Sequence, residues 1–373
     1  MSGSRNMVAK GFISELDGLR GVAILVVMVH RFWPRSDESL AADLAGAGWA
    51  GVDLFFVISG FLIAGILLDT RGEQDCFRNF YARRVLRIFP LYYLFVGGVL
   101  LAFWSNPAFR SDAGSPFWYL LHLGNVPEGV LGNDVPYFLG PVWSLAIEEQ
   151  FYLTFPWLVY LLDRRRLTMV LLALLALAPA LRLVTMLAYP DRERIQYLVT
   201  FCRLDTIAIG CLLALALRAV DVERARPWLT RSATVVVGVA ALIAVLTGLD
   251  RTTPFGRTLG YSVVAFGCAS LVMLVILSRG ERSTDALRWS WLRYFGKLCF
   301  GLYLLHRPAD TLVSAAAERL AIDGAQLSLI PVKVAVALVL ASVSWFLLER
   351  PFMALKDRFS SARHPAARGS ATL

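Results

Sequence analysis

An all-α, polytopic transmembrane helical bundle of about ten spans, with both termini cytoplasmic, follows from three observations. The first is composition. The 373 residues are 57% hydrophobic and 17% charged, whereas soluble domains run near ~45–50% and ~25%. The second is a series of apolar runs, most of them close to the ~20 residues that a helix needs to cross a bilayer. The third is the placement of Lys and Arg between those runs. Together they exclude an ordinary cytosolic enzyme and a disordered chain, and five cysteines in 373 residues are too few for a small disulfide scaffold. The net charge of +9 is carried in short clusters beside apolar runs, so it reads as membrane topology rather than nucleic-acid binding.

The runs appear in order at 16–33, 48–69, 88–105, 142–162, 167–188, 197–217, 232–249, 258–278, 297–318 and 330–349. The run at 117–127 (FWYLLHLGNVP) is about half the length required to span and is read as re-entrant or interfacial. With the N-terminus placed inside, the inside segments hold 23 Lys and Arg, the outside segments 7, and the spans the remaining 7. This is a positive-inside pattern. Counting 117–127 as a span would put Arg164, Arg165 and Arg166 outside and invert everything after them. The apolar stretch after Arg20 lacks a small-residue cleavage site and membrane-like sequence continues to residue 349, so no cleaved signal peptide is expected. Residues 1–355 read as one integral membrane domain and 356–373 as a polar, disordered tail. No internal repeat stands out. No disulfide is expected, and without CxxC or HExxH no metal site is either.

A charged residue at a helix centre costs about 2.5–3.5 kcal/mol on the insertion scale, so ionisable groups inside spans are functional candidates. The first span carries Asp17, Arg20 and His30, the second Asp53, the fourth Glu148 and Glu149, the sixth Arg203 and Asp205, and the ninth Lys297, His306, Arg307 and Asp310. The seventh and eighth carry none and read as lipid-facing scaffold. His30 lies about 5 Å and Glu148 about 9 Å from the outer ends of their spans at 1.5 Å per residue. Asp53, Arg203 and Asp205 fall in the outer half, while Arg83, Arg84 and Arg87 lie at the inner face. The pattern is a polar pocket open to the outer leaflet above a basic cytoplasmic vestibule. Each group also has a plainer reading: Asp17 and Arg20 as interfacial, the arginine triplet as topology anchors, and Arg203 with Asp205 as a structural ion pair. Glu148 and Glu149 point about 100° apart on a helix, so at most one faces a given partner.

Seven short motifs occur in order: ELDGLRGVAILVVMVHRF (15–32), GVDLFFVISGFLI (51–63), FYARRVLRIFPLYY (80–93), VWSLAIEEQFYL (142–153), RLDTIAIGCLLA (203–214), FGKLCFGLYLLHRP (295–308) and LERPF (348–352). Nearly the whole chain therefore resembles acyltransferase family 3, membrane O-acyltransferases that modify O-antigen, exopolysaccharide, Nod factor and macrolides. The resemblance implies a multi-helix enzyme of the bacterial inner membrane that uses acyl-CoA, often acetyl-CoA, from the cytoplasmic side. It places the functional histidine at His30 and the arginine of the DGLR motif at Arg20. The RxxR pair falls at Arg84 and Arg87, and the acidic WSLxxE position at Glu148 with Glu149 beside it. One spacing departs from the family. Nine residues separate Arg20 from His30 where relatives commonly have ten. Ten would set both side chains within about 20° on one helix face, and nine leaves His30 about 80° off it. Arg31 takes the usual slot and cannot act as a base. A one-residue π-bulge would restore the register.

Acyl transfer to a hydroxyl needs a base for the alcohol proton, and a histidine with an ordinary pKa of about 6.5 suits that task. Glu148, then Asp53, are the acidic groups expected to orient it. Arg84 and Arg87, three apart and on one face, with Arg20, suit the phosphates of acyl-CoA, which guanidinium groups grip bidentately. The expected partners are acyl-CoA, a carbohydrate or lipid-linked glycan acceptor, and membrane lipids, with no nucleic acid and no metal. Trp118, Tyr119 and Tyr137 in the longest outside segment suit stacking on a sugar or anchoring at the interface. The competing function is a transporter or flippase of an anionic or glycan substrate. Paired Gly- or Pro-broken spans would mark that alternative, and acyl transfer would be absent.

Overall fold

The computed structural model describes residues 13–34, 37, 39–248, 250–324 and 326–359. The N-terminal residues 1–12 and residues 360–373, which make up most of the expected tail, lie outside the described residues. Ten long helices match the ten expected runs. They are α1 (Ser14–Phe32), α2 (Ala50–Asp69), α3 (Cys76–Phe103), α4 (Val142–Leu161), α5 (Arg164–Ala188), α6 (Leu204–Leu217), α7 (Val222–Thr247), α8 (Tyr261–Leu277), α9 (Cys299–Arg319) and α10 (Ile330–Ser344). Among the described residues all regular structure is helical and no strand occurs. By length and composition, six helical segments suffice to cross a membrane: Leu40–Asp69, Cys76–Phe103, Arg164–Ala188, Val222–Thr247, Gly256–Leu277 and Leu327–Ala354. The four that fall short are informative. α6 has 14 residues, and α1, α4 and α9 carry the ionisable residues singled out above.

α2 is central, with 72% of its apolar window buried, whereas α7 is peripheral, with 11% buried. The expectation of a lipid-facing seventh span therefore fits the structure. The eighth differs: half of its window is buried, because α8 packs on α2 and α6 as well as on α7. α2 and α6 cross at closest approach through Gly60 and Gly210. A Cβ on Gly60 would collide with the Ile207 carbonyl, and one on Gly210 with the Val57 carbonyl. Such small-residue crossings let helix backbones touch where lipid supplies no hydrophobic drive for association.

One boundary differs from expectation. α3 begins at Cys76, twelve residues before the expected run, because its basic residues alternate with apolar ones at helical spacing. Segment 117–127 holds only the four-residue helix Phe117–Leu120 and does not cross. It is tied to α3 by Tyr92, whose hydroxyl donates to the Tyr119 carbonyl at 2.6 Å, and by Tyr93, which donates to that of Leu120 at 3.0 Å. All five cysteines are free.

Candidate active site

The first constellation forms where α1, α2, α3, α4 and α9 meet. Arg20, Arg84, Arg87, Glu148 and Glu149 line one narrow cavity of about 80 Å³. The three arginines expected at the donor end are thus brought together. Arg84 lies over the Tyr152 ring at 4.8 Å, and Arg20 sits 3.5 Å from Asp17. Among the described residues no carboxylate lies within 4.0 Å of the Arg84 or Arg87 guanidinium. Glu148 ends a short relay. Tyr152 donates to Ser59 Oγ at 3.3 Å, and Ser59 donates to Glu148 Oε1 at 2.7 Å. Glu149 borders the same cavity although Glu148 alone of the two receives Ser59.

The second constellation is a cavity of about 1100 Å³ lined by His30 and Arg31 of α1, Trp49, the start of α4, His306 and Arg307 of α9, and the Glu193–Leu198 and Ala244–Thr252 segments. His30 Nδ1 lies 2.9 Å from the Ala45 carbonyl oxygen. A carbonyl only accepts, so Nδ1 carries a proton, and in the neutral ring Nε2 holds the lone pair. The backbone at Gly48 is packed against this histidine so closely that a Cβ there would meet His30 Cβ at 2.6 Å. The expected π-bulge is absent. α1 is regular α-helix throughout, and both His30 and Arg31 reach the cavity wall because α1 ends there and the cavity wraps its tip. His306 Nδ1 lies 2.7 Å from the Tyr303 carbonyl oxygen and has the same tautomer by the same argument. Glu128 also borders this cavity, and burial pushes its carboxyl above the usual range despite Arg194 nearby.

The two cavities share Val52 and Tyr303 as walls. Ser144 Oγ and the Tyr303 hydroxyl are hydrogen-bonded at 2.6 Å between them. Arg20 lies six residues in from the start of α1 and His30 two residues from its end, ten residues or about 15 Å apart. His30 and Glu148 therefore belong to different cavities, and His30 Nδ1 is oriented by a backbone carbonyl.

Asp53 lines neither cavity. It is fully buried and paired with Arg203, and accepts from Thr206 at 3.3 Å. The local Arg203–Asp205 pair does not form. Asp205 instead receives Arg182 of α5 through both oxygens, at 3.0 and 2.7 Å, together with Ser262 at 2.6 Å. Arg182 escaped the sequence reading, although a lone charge within an apolar run is the signal that exposed the others. Ser59, Tyr152 and the Ala45 carbonyl carry no such signal. Of the aromatic residues expected to face a sugar, Tyr119 is buried and bonded to the Ala113 carbonyl at 2.9 Å. Trp49, Trp143, Tyr197 and Tyr261 line the larger cavity.

A helical bundle with membrane-length helices, in which a cavity lined by three arginines and a cavity lined by an oriented histidine share the walls Val52 and Tyr303, defines a multi-pass membrane protein with two adjacent polar cavities. The family model described as an acyltransferase domain matches residues 13–349, and the chain belongs to that family, acyltransferase family 3. It is 30% identical to the "Putative peptidoglycan O-acetyltransferase YrhL" of Bacillus subtilis, over 94% of this chain and 56% of the relative. It is 27% identical to the peptidoglycan O-acetyltransferase OatA of Listeria monocytogenes, over 92% and 56%. The O-acetyltransferase OatA of Staphylococcus aureus is also 27% identical, over 83% and 52%. The chain spans about half the length of the curated relatives it matches. No solved structure matches it.

Proposed function

We propose that this protein is a membrane O-acyltransferase that moves an acyl group, acetyl above all, from cytoplasmic acyl-CoA to a hydroxyl of a cell-envelope carbohydrate. The observation that carries the reading is the meeting of two unlike cavities at Tyr303, one lined by Arg20, Arg84 and Arg87 and one by His30. The names of the relatives support an O-acetyl group and a carbohydrate acceptor such as peptidoglycan.

On this reading Arg84 and Arg87 hold the CoA phosphates, and the narrow cavity takes the slim acyl-thioester arm. The wide outer cavity takes the acceptor. His30 Nε2 removes the acceptor hydroxyl proton as the oxygen attacks the thioester carbonyl. The new C–O bond forms, the C–S bond breaks, and CoA leaves as a thiolate that takes the proton back from the imidazolium. The Ala45 carbonyl holds the ring in the tautomer that this step requires. Tyr303 and Ser144 are bonded to each other at the junction, so one of the two hydroxyls donates its proton to the other and the second is placed to donate to the developing oxyanion. The test is to incubate membranes containing the protein with acetyl-labelled acetyl-CoA and extract the glycan fractions. Label in a base-labile ester on glycan is expected. Its absence, with CoA binding intact, overturns the reading in favour of transport.

A further inference from the structure

Three of the four arginines that line the larger cavity, Arg31, Arg251 and Arg307, rest on aromatic rings and have no close carboxylate partner among the described residues. Arg31 and Arg307 both lie over the ring of Tyr137, each 4.8 Å from its centroid, so the two guanidinium carbons are within about 10 Å of each other. The nearby carboxylate Asp310 is already engaged, by the Tyr137 hydroxyl at 2.5 Å and by Lys333 at 2.7 Å. Arg307 also donates to the Tyr137 carbonyl, while its buried Nε–H has no partner among the described residues. Across the cavity Arg251 rests over Tyr197 at 4.6 Å and Trp49 at 5.5 Å. Among the described residues no carboxylate lies within 4.0 Å of any of these three guanidinium groups.

The acids of the cavity leave them short of ion pairs. Asp43, Glu193 and Asp250 are exposed, and Glu128, 3.7 Å from Arg194, is also attracted by Arg307 and Arg31, one half-buried carboxyl shared among three guanidinium groups. Like charges gathered on aromatic faces, away from counterions, repel one another and lose hydration. An anion that accepts forked N–H donors relieves both costs.

We propose that the acceptor bound in the outer cavity carries an anionic group, a carboxylate or a phosphate, gripped by Arg31, Arg251 and Arg307. Its ring lies against Trp49 and Tyr197. The inference rests on the acyl-transfer reading for the word acceptor, but the selection of an anion is testable by binding alone.

The experiment uses the full chain in nanodiscs and two pairs of probes, each a charged compound and its neutral twin. One pair is N-acetylmuramic acid and its methyl ester, with the charge on the sugar. The other is farnesyl monophosphate and farnesol, with the charge on a lipid phosphate. In at least one pair the charged member is expected to bind ten times or more tighter than its twin, and that pair identifies where the acceptor carries its charge. Arg251→Gln should abolish the gap and leave acetyl-CoA affinity unchanged, which also certifies folding. If Arg251→Gln does not yield folded protein, Arg251→Lys should narrow the gap, because an ammonium cannot fork. Equal affinity for both members of both pairs overturns the proposal. So does a gap that survives in both Arg251→Gln and Arg31→Gln, and so does loss of acetyl-CoA binding in an Arg251→Gln protein whose helical circular dichroism and thermal unfolding match the wild type, which would assign these arginines to the donor. Charge-selective binding without any transfer of label upholds anion selection and counts against acyl transfer alone.

Discussion

Replacing Arg203 by Met asks whether Asp53 is a catalytic carboxylate or one half of a structural pair. Both side chains are 0% exposed. The Arg203 guanidinium also lies 4.4 Å from the centre of the Tyr261 ring. In Arg203→Met the Asp53 carboxylate keeps only Thr206, at 3.3 Å, in the middle of the helix packing. Stranding one charge of a buried pair costs about 3–5 kcal/mol, and the lost stacking on Tyr261 adds about 0.5–2 kcal/mol. Asp53→Leu strands the guanidinium and should cost a similar amount. The double variant Asp53→Leu/Arg203→Met removes both charges, and apolar replacement of a whole buried pair is often neutral or stabilising. It should therefore unfold later than either single variant, as read by denaturation of the detergent-solubilised protein. It should also retain acyl transfer, because neither residue borders a cavity. Additive losses in the double variant would refute the pairing. A stable double variant with no transfer but normal acetyl-CoA affinity would return Asp53 to the catalytic machinery.

Three further outcomes are expected. Arg84→Lys and Arg87→Lys should each weaken acetyl-CoA binding about 10- to 150-fold, the worth of a charge-assisted bond of about 1.5–3 kcal/mol; unchanged affinity in both singles and the double would make these residues topology anchors. Glu128, whose carboxyl is raised by burial, holds its proton more tightly folded than unfolded, so wild-type stability should fall as pH rises through the window above its ordinary 4.5. Glu128→Gln should flatten that part of the stability profile, and an unchanged slope would contradict the burial argument. A reporter that fluoresces only in the cytoplasm, fused after Leu373, should be bright, because the expected inside segments hold 23 of the 30 Lys and Arg outside the spans; a dark, correctly inserted fusion would defeat the ten-span topology.

Ten apolar runs coincide with ten helices, of which six are long and apolar enough to cross a membrane, because hydrophobic length is a one-dimensional property that sequence displays directly. Where a helix continues past its apolar run the reading stops short: α3 starts at Cys76 because Arg78, Arg83, Arg84 and Arg87 occupy turns whose other faces are apolar. Placing Arg20, Arg84 and Arg87 in one cavity was also legible, since all three lie toward the same expected side of their apolar runs. Partner choice was not. Asp53 finds Arg203 150 residues away, and Asp205 finds Arg182 23 residues away, through packing that no local spacing encodes. His30 illustrates a second blind spot. Its Nδ1 is oriented by the carbonyl of Ala45, and every residue has a carbonyl, so a search for a side-chain carboxylate pointed to Glu148. The spacing argument on α1 treated the helix as facing a flat partner. At a helix tip that is enclosed by a cavity, residues about 100° apart reach the same space.

The most direct measurement is transfer of labelled acetyl from acetyl-CoA by reconstituted wild-type, His30→Ala and His306→Ala proteins, with acetyl-CoA affinity measured on each. If His30 is the base, His30→Ala loses about 10²–10⁴-fold in rate while binding acetyl-CoA as the wild type does. His306→Ala, whose ring is held by its own helix at the Tyr303 carbonyl, keeps most of its activity. Activity retained in His30→Ala and lost in His306→Ala would move the base to the second histidine. Activity retained in both would contradict base catalysis by histidine in this protein.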